Sequence, residues 1–332
     1  MWRRGPAAMF MAGVDVGGTK CAACIGRITP DERVEVLGKE VFPTPSNYLE
    51  ALCRLGDALE RLLVAHKVAS LRSIGISCGG PLDSRRGRVL SPPNLPGWDD
   101  VDVVTPFQQR FGAPTFLQND ANAGALAEWQ WGAGRGCRNM VFLTFGTGMG
   151  AGLILNGELY TGTNDLAGEV GHIRLAEDGP LGYGKHGSFE GFCSGGGIAR
   201  LAQAVAEGHL RRGGSTLYCP SLADLSSVDA RRVAEAAQRG DELALTVFRT
   251  VAEYLGRGLA VLIDILNPEK IIIGSIYLRQ RSLLEPLMMK TLREEALPLA
   301  ASVCEIVPAG LGEMIGDYAS LAVAKYHANR LT

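Results

Sequence analysis

The sequence predicts a mixed α/β protein, and three observations carry that expectation. Apolar runs of strand length alternate with stretches of helical spacing along the whole chain. A strand–glycine turn–strand unit occurs twice, about 130 residues apart, which reads as an internal duplication. Gly is also over-used, at 43 of 332 residues against an average share of about 7%, and much of the excess is clustered in those turns.

The elements follow in order. Met9–Val16 is apolar apart from Asp15, breaks at Gly17-Gly18-Thr19-Lys20, and resumes as Cys21–Ile28. Val34–Phe42 is a third strand. Tyr48–His66 is a helix, with Leu49, Leu52, Leu55, Leu59, Leu62 and Leu63 on one face. Leu71–Ser77 and Thr115–Gln118 are strands, separated by a loop rich in Pro, Gly and Asn at Ser91–Trp98. A helix over Ala121–Trp131 begins just after Asn119-Asp120. The opening pattern then returns: Met140–Phe145, a break at Gly146-Thr147-Gly148-Met149-Gly150, and Ala151–Leu155. Aligned on their turns, Val14-Asp15-Val16-Gly17 matches Leu143-Thr144-Phe145-Gly146. Beyond it lie a long helix over Leu243–Leu266, stopped by Asn267-Pro268, short strands at Lys270–Ile273 and Val303–Val307, and a helix over Glu313–Lys325. No polar linker interrupts the chain, so two lobes that interleave are expected.

Bulk properties exclude several functions. Hydrophobic content of 46%, charged content of 20% and a net charge of −2 describe an ordinary globular chain with no field for nucleic acid or anionic membrane. The apolar stretch Ala7–Ala12 is too short for a secretory segment, and no run is long enough to span a bilayer. The eight Cys are scattered; Cys21 and Cys24 lie on one strand, where residues three apart face opposite ways, so neither a redox turn nor a zinc knuckle fits. Reduced thiols and a cytoplasmic location are expected.

The two turns are candidate phosphate sites, because backbone without Cβ atoms lets successive N–H groups approach an anion. Gly17, Gly18, Thr19 and Lys20 form one; Thr144, Gly146, Thr147 and Gly148 form the other. Neither is a P-loop, and a strand rather than a helix follows each, which disfavours a dinucleotide fold. Asp15 is a carboxylate in an apolar strand, costly without partners, and suited to a Mg²⁺ held through water. Asp120 sits at a strand-to-helix junction. It reads as a helix N-cap, as a general base for a hydroxyl attacking a phosphate, or as both. Asn94 reads as a turn residue, while Glu169, His172 and Glu190 carry groups suited to polyol recognition but equally at home in solvent or in structural hydrogen bonds.

These segments together resemble the ROK family, and within it the glucokinase-like sugar kinases. The resemblance runs in order through Val14–Lys20, Pro93–Trp98, Asn119–Asn122, Phe145–Gly150, Glu169–His172, Leu266–Gly274 and Gly310–Ser320. It implies a two-lobed ribonuclease-H-like fold of the actin/hexokinase ATPase type, with ATP and a sugar in the cleft between lobes. It implies Asp120 as catalytic base, with Asn94, Asn119, Glu169, His172 and Glu190 around the sugar. It also implies Asp15 near Mg²⁺, and Gly274 and Gly310 on the adenosine side. The expected small lobe is 1–119, completed by a helix at about 313–332, and the large lobe is 120–312. ATP and a hexose are the expected partners, with O6 of glucose preferred, and N-acetylhexosamines or fructose as alternatives. A homodimer is implied too. A repressor needs a helix-turn-helix module, for which the stretch before Met9 leaves no room.

In one stretch the chain departs from that pattern. Where the family carries a zinc-binding cysteine cluster after the histidine, this chain has Leu181, Tyr183 and Ser188 in place of the thiolates. Three ligands are gone, so no structural zinc is expected, and Tyr183, His186 or packing around Phe189 and Phe192 is left to orient His172. Elemental analysis of purified protein should find zinc far below one equivalent per chain; a stoichiometric signal would contradict this reading.

Overall fold

The computed structural model describes residues 9–331; residues 1–8, which include the basic opening, and residue 332 lie outside it. The chain forms two compact units, one of residues 9–136, 152–167 and 313–331, the other of Cys137–Ala151 and Gly168–Gly312.

The first unit is built on a five-stranded sheet. β1 (Met9–Val16) lies antiparallel to β2 (Lys20–Ile28), which pairs with β3 (Val34–Pro43). On its other side β1 runs parallel to β4 (Ser73–Cys78), and β4 runs parallel to Thr115–Asn119. Both faces of the sheet are covered, and the period-two alternation of the strands sorts side chains between them. Ala12, Val14, Val16, Cys21, Ile74 and Ile76 join one core with Leu55 and Leu59 of the helix α1 (Tyr48–Ala65) and with Trp98. Met11, Cys24 and Ile28 join a second core with Leu321 and Ala324 of the helix Ile315–Ala328. Cys21 and Cys24 therefore do fall on opposite faces, both as free thiols. Each fully buried Leu or Ile contributes about 1.5–3 kcal/mol. α1 starts where Asn47 accepts the Leu49 N–H.

The helix Ile315–Ala328 comes close because glycines make room for it. Gly13 and Gly75 are paired in the β1–β4 register. A Cβ on Gly75 would stand 2.0 Å from the Ser320 carbonyl oxygen, and one on Gly13 would stand 2.2 Å from the Ser320 hydroxyl. The Ser73 hydroxyl donates to the Ala324 carbonyl at 3.0 Å, and Lys39 pairs with Asp317.

The second sheet repeats the strand order of the first. Its strands run Glu158–Tyr160, Met149–Leu155, Met140–Phe145, Lys270–Ile273, Glu305–Pro308, with the last three parallel. The first sheet has the same plan of a hairpin extended outward by one strand and inward by two parallel ones. The duplicated hairpin thus sits at the same place in both sheets.

The expected boundary at residue 119 needs correction. The helix Asp120–Trp131 belongs to the first unit, because Gln130 Nε2 donates to the Ala322 carbonyl at 2.9 Å and Trp129 meets Tyr326 edge-on. Residues 152–167 join it too: Gly152 lies against Ala121, where a Cβ would stand 2.3 Å from the carbonyl oxygen, and Leu159 N–H donates to the Tyr326 hydroxyl.

Gly75→Ala should lower stability by about 3 kcal/mol or more, since the obstacle is backbone on a packed helix. Gly316→Ala, with nothing near its Cβ position, should raise stability by about 0.5–1 kcal/mol through helix propensity. Urea unfolding of the two variants tests both signs.

Candidate active site

Parallel register sets up the acidic centre of the first unit. Asp15 is aligned with Ser77 across β1 and β4, and Cys78 is aligned with Asn119 across β4 and its neighbour. The ends of these three strands therefore bring Asp15, Ser77 and Asp120 to one edge of the sheet. Burial pushes the Asp15 carboxyl up to about 6, and the Asp120 charge adds to the rise; the Ser77 hydroxyl, Lys39 and Lys20 pull against it. The Asp120 carboxyl is raised as well, by the protein packed around it, while the Ala121 N–H at 2.9 Å favours its charged form. The residue still touches solvent, so this rise is that of an acid in a recess rather than of an enclosed one.

Asp120 is not the helix cap. Asn119 fills that position, its Oδ1 accepting the Asn122 N–H at 2.7 Å. The capping alternative for Asp120 is removed.

The first glycine turn closes on this edge. Gly17 N–H donates to the Lys20 carbonyl at 3.1 Å, and the Thr44 hydroxyl donates to the Gly17 carbonyl at 2.6 Å. Asn94 stands over the turn: a Cβ on Gly18 would lie 2.5 Å from its carbonyl oxygen, and one on Gly79 would lie 3.1 Å from its Nδ2. Gly18 is thus required by the close approach of Asn94. Asp15, Asn94, Thr19, Lys20 and Asp120 are gathered around one turn by elements far apart in sequence.

In the second unit the corresponding turn is tied internally. Thr144 Oγ1 accepts the Gly150 N–H at 3.0 Å, and Gly146 N–H donates to the Gly148 carbonyl at 3.1 Å. Thr144 therefore holds the shape of the turn. Glu190 Oε2 accepts the Met149 N–H at 3.1 Å, and a Cβ on Gly148 would stand 3.0 Å from that oxygen. Glu169 precedes and His172 ends a short 3₁₀ turn, Val170–His172, whose Gly171 fits against the Met149 carbonyl; the Glu169 and His172 side chains are exposed.

Beside this turn a cavity of about 790 Å³ opens, lined by Gly146 and Thr147, by Gly195, Gly196 and Ser275, and by Arg279 among others. Gly195 N–H donates to the Gly146 carbonyl at 2.8 Å, and Ser194 caps the helix Gly195–Arg211 through the Gly197 N–H. Ser275 takes a φ of 55° at the start of Ile276–Glu295, a left-handed backbone that a non-glycine residue adopts at a cost. Gly274 N–H donates to the Leu143 carbonyl at 3.0 Å, just before Ser275. Gly310 follows the strand Glu305–Pro308 and does not line the cavity. The sequence reading missed Gly195, Gly196, Ser275 and Arg279. The run Ser194-Gly195-Gly196-Gly197 before a helical stretch was the available signal: an N-cap followed by residues that admit close approach.

The stretch Leu181–Glu190 is a small hairpin, Leu181–Gly182 against Lys185–His186, followed by a helical turn capped by Ser188. His186 Nδ1 bonds the Gly179 carbonyl rather than His172. Among the described residues no group of three or more His, Cys, Asp or Glu is placed to hold a metal ion, and no helix is long and apolar enough to cross a membrane.

Two sheets of one strand plan in a mixed α/β chain define a protein of the actin/hexokinase ATPase fold class. The ROK family model matches residues 11–325, and the chain belongs to that family. A glucokinase of Halalkalibacterium halodurans is 35% identical over 315 residues, covering 92% of each chain. The structure of a ROK family glucokinase from Streptomyces griseus in complex with glucose and AMPPNP is similar at a TM-score of 0.72 and 28% identity, over 96% of this chain and 99% of that one. The structure of a ROK family transcriptional regulator, a homolog of the E. coli MLC protein, is similar at a TM-score of 0.82 and 26% identity, over 96% of this chain and 78% of that one.

A carboxyl whose affinity for protons is higher in the folded than in the unfolded chain favours folding at low pH and opposes it once both forms are ionised. For Asp15 the opposing contribution grows between about pH 4 and pH 6. Asp15→Asn should therefore raise the Tm at pH 7.5 by about 2–4 °C, and the gain should vanish below pH 4. Thermal unfolding across that range checks the sign.

Proposed function

We propose that the chain is an ATP-dependent sugar kinase that transfers the γ-phosphoryl group to a hexose hydroxyl, with O6 of glucose the first choice. The observation that carries this reading is the pairing of Asp15 and Asp120 at one sheet edge beside the first glycine turn, both with raised affinity for protons. Two carboxylates there suit two tasks. Asp120 accepts the proton of the attacking hydroxyl, which is a poor nucleophile while protonated. Asp15, with the Ser77 hydroxyl beside it, offers the hard oxygen donors that Mg²⁺ takes, usually through water. When bound, the metal neutralises charge on the phosphate oxygens. Thr19, Lys20 and the Gly17-Gly18 backbone suit a phosphate, as do Gly146, Thr147 and Gly148. The cavity beside Gly195 and Ser275 has the volume for a nucleoside, and Gly274 directly precedes Ser275 while Gly310 follows the strand Glu305–Pro308. Asn94, Asn119, Glu169, His172 and Glu190 supply amide, carboxylate and imidazole groups for sugar hydroxyls. The glucokinase relatives support the same reading. N-acetylhexosamines and fructose are the alternative acceptors.

A second reading is a sugar-binding regulator without transfer activity, favoured by the similarity to the ROK transcriptional regulator over nearly the whole chain. Release of ADP from Mg-ATP that depends on a hexose separates the two. A coupled assay over a panel of hexoses and N-acetylhexosamines should give turnover with at least one. Asp120→Asn should reduce kcat by about 10²–10⁴-fold while hexose binding persists. In the unsubstituted enzyme kcat/KM should fall as pH drops through the raised Asp120 pKa, since the base works only when ionised. Undiminished turnover in Asp120→Asn would remove the base assigned here.

A further inference from the structure

We infer that the hairpin Leu181–His186 is a clamp that positions His172, with Lys185 and Tyr183 as its two contacts. Lys185 Nζ donates to the His172 carbonyl oxygen at 2.8 Å. From the same hairpin, the Tyr183 ring stands edge-on to the His172 imidazole, with centroids 6.4 Å apart and planes at 78°. One contact fixes the backbone of the histidine and the other limits where its ring can swing. The His172 side chain is otherwise exposed at the end of a three-residue 3₁₀ turn. Such a turn has too few hydrogen bonds to hold a direction by itself.

The hairpin is built to bear this load. Behind His172 the chain is stitched to the far side of the hairpin: Leu175 N–H donates to the Gly187 carbonyl at 2.8 Å, and Phe189 N–H donates to the Ile173 carbonyl at 2.8 Å. Arg174 Nη1 donates to the His186 carbonyl at 2.9 Å. These bonds anchor the base of the hairpin and leave its tip, Tyr183-Gly184, reaching back toward His172. At that tip Tyr183 has a φ of 41° and is 69% exposed. A bulky residue there bears a left-handed backbone with no burial to offset it. Glycine would relieve that strain and would lose the ring. A strained, exposed aromatic whose edge meets a histidine is accounted for by the contact it makes.

Lys185 is the stronger of the two contacts, because a charged donor to a carbonyl oxygen is short and directional. Its stem is half-buried, which limits its freedom. Given the kinase reading above, on which this inference rests, the clamp sets how well His172 meets a sugar hydroxyl. It governs acceptor affinity rather than phosphoryl transfer, so Lys185 and Tyr183 are positioning residues.

The test uses Lys185→Ala, Lys185→Arg and the full-length protein, with two readouts. Amide hydrogen exchange over residues 170–174 reports the clamp whether or not any sugar is turned over. It should quicken in Lys185→Ala and return to the unsubstituted rate in Lys185→Arg, which keeps a cationic donor. Sugar kinetics report its use: Lys185→Ala should raise hexose KM about 10-fold, with kcat and the KM for ATP within about twofold, and Lys185→Arg should restore it. Tyr183→Gly should raise hexose KM in the same direction without loss of Tm. Unchanged exchange over 170–174 in Lys185→Ala overturns the clamp. Faster exchange with unchanged hexose KM overturns its role in acceptor affinity. If the unsubstituted protein phosphorylates no hexose, the kinase reading fails by itself, and the exchange experiment still decides whether Lys185 holds His172.

Discussion

The parallel register of three strands in the first unit is the constraint on which its chemistry depends. Asp15, Ser77 and Asp120 come from segments separated by some sixty and forty residues, and nothing local draws them together. The ladder Asp15↔Ser77 and Cys78↔Asn119 does. A slip of one residue between β1 and β4 would turn Asp15 to the opposite face and send Val14 or Val16 out of the core. Apolar alternation along β1 thus protects the acid pair: the same burial that locks Ala12, Val14 and Val16 into one core fixes where the carboxylate points. Asp15 itself bears a cost for that position, visible in its raised proton affinity.

The second sheet applies the same strand plan to a different end. Its hairpin carries Thr144 where the first carries Asp15, and a hydroxyl there closes the turn on Gly150 instead of presenting a charge. Duplication has kept the scaffold and let the polar residue at the strand end diverge. Around it, small residues do the spacing. Gly148 gives way to Glu190, Gly171 to the Met149 carbonyl and Gly195 to the Gly146 carbonyl, and Ser275 adopts glycine-like backbone next to them. Backbone crowding of this kind is what a surface shaped around a large ligand requires.

Much of the fold was legible because it is written locally. The leucine spacing of α1, the apolar alternation of β1 and the Gly-rich turns each appear within a window of a dozen residues, and Lys270–Ile273 was read to the residue. Ends were less so. The strand predicted from Ala151 starts at Met149, because the turn is tighter than its glycines alone suggest, and the strand predicted over Val303–Val307 is Glu305–Pro308. The unit boundary was misplaced because it depends on packing: Gly152 against Ala121 and Gln130 against Ala322 are contacts between distant segments with no mark in composition. In the candidate site, residues carrying unusual chemistry, Asp15 and Asp120, announced themselves. Lys185 did not, since an exposed-looking lysine in a polar loop has no distinguishing neighbours in sequence, and its role exists only once the hairpin folds back onto the His172 carbonyl. The sequence offers Asp120 as N-cap and base at once, whereas Asn119 takes the capping role and leaves Asp120 out of it.

The glycine seat under the helix Ile315–Ala328 ties the birth of the first sheet to a segment far downstream. β1 and β4 leave the ribosome early, but the helix that covers their Gly13–Gly75 face is encoded about 240 residues after β4, a delay of about 10–50 s at ordinary rates of synthesis. Throughout that interval Met11, Cys24 and Ile28 have no lid, and the nascent sheet presents an oily face to whatever else is in the cell. Translation of this chain therefore includes a vulnerable period, ended when the helix Ile315–Ala328 emerges and docks.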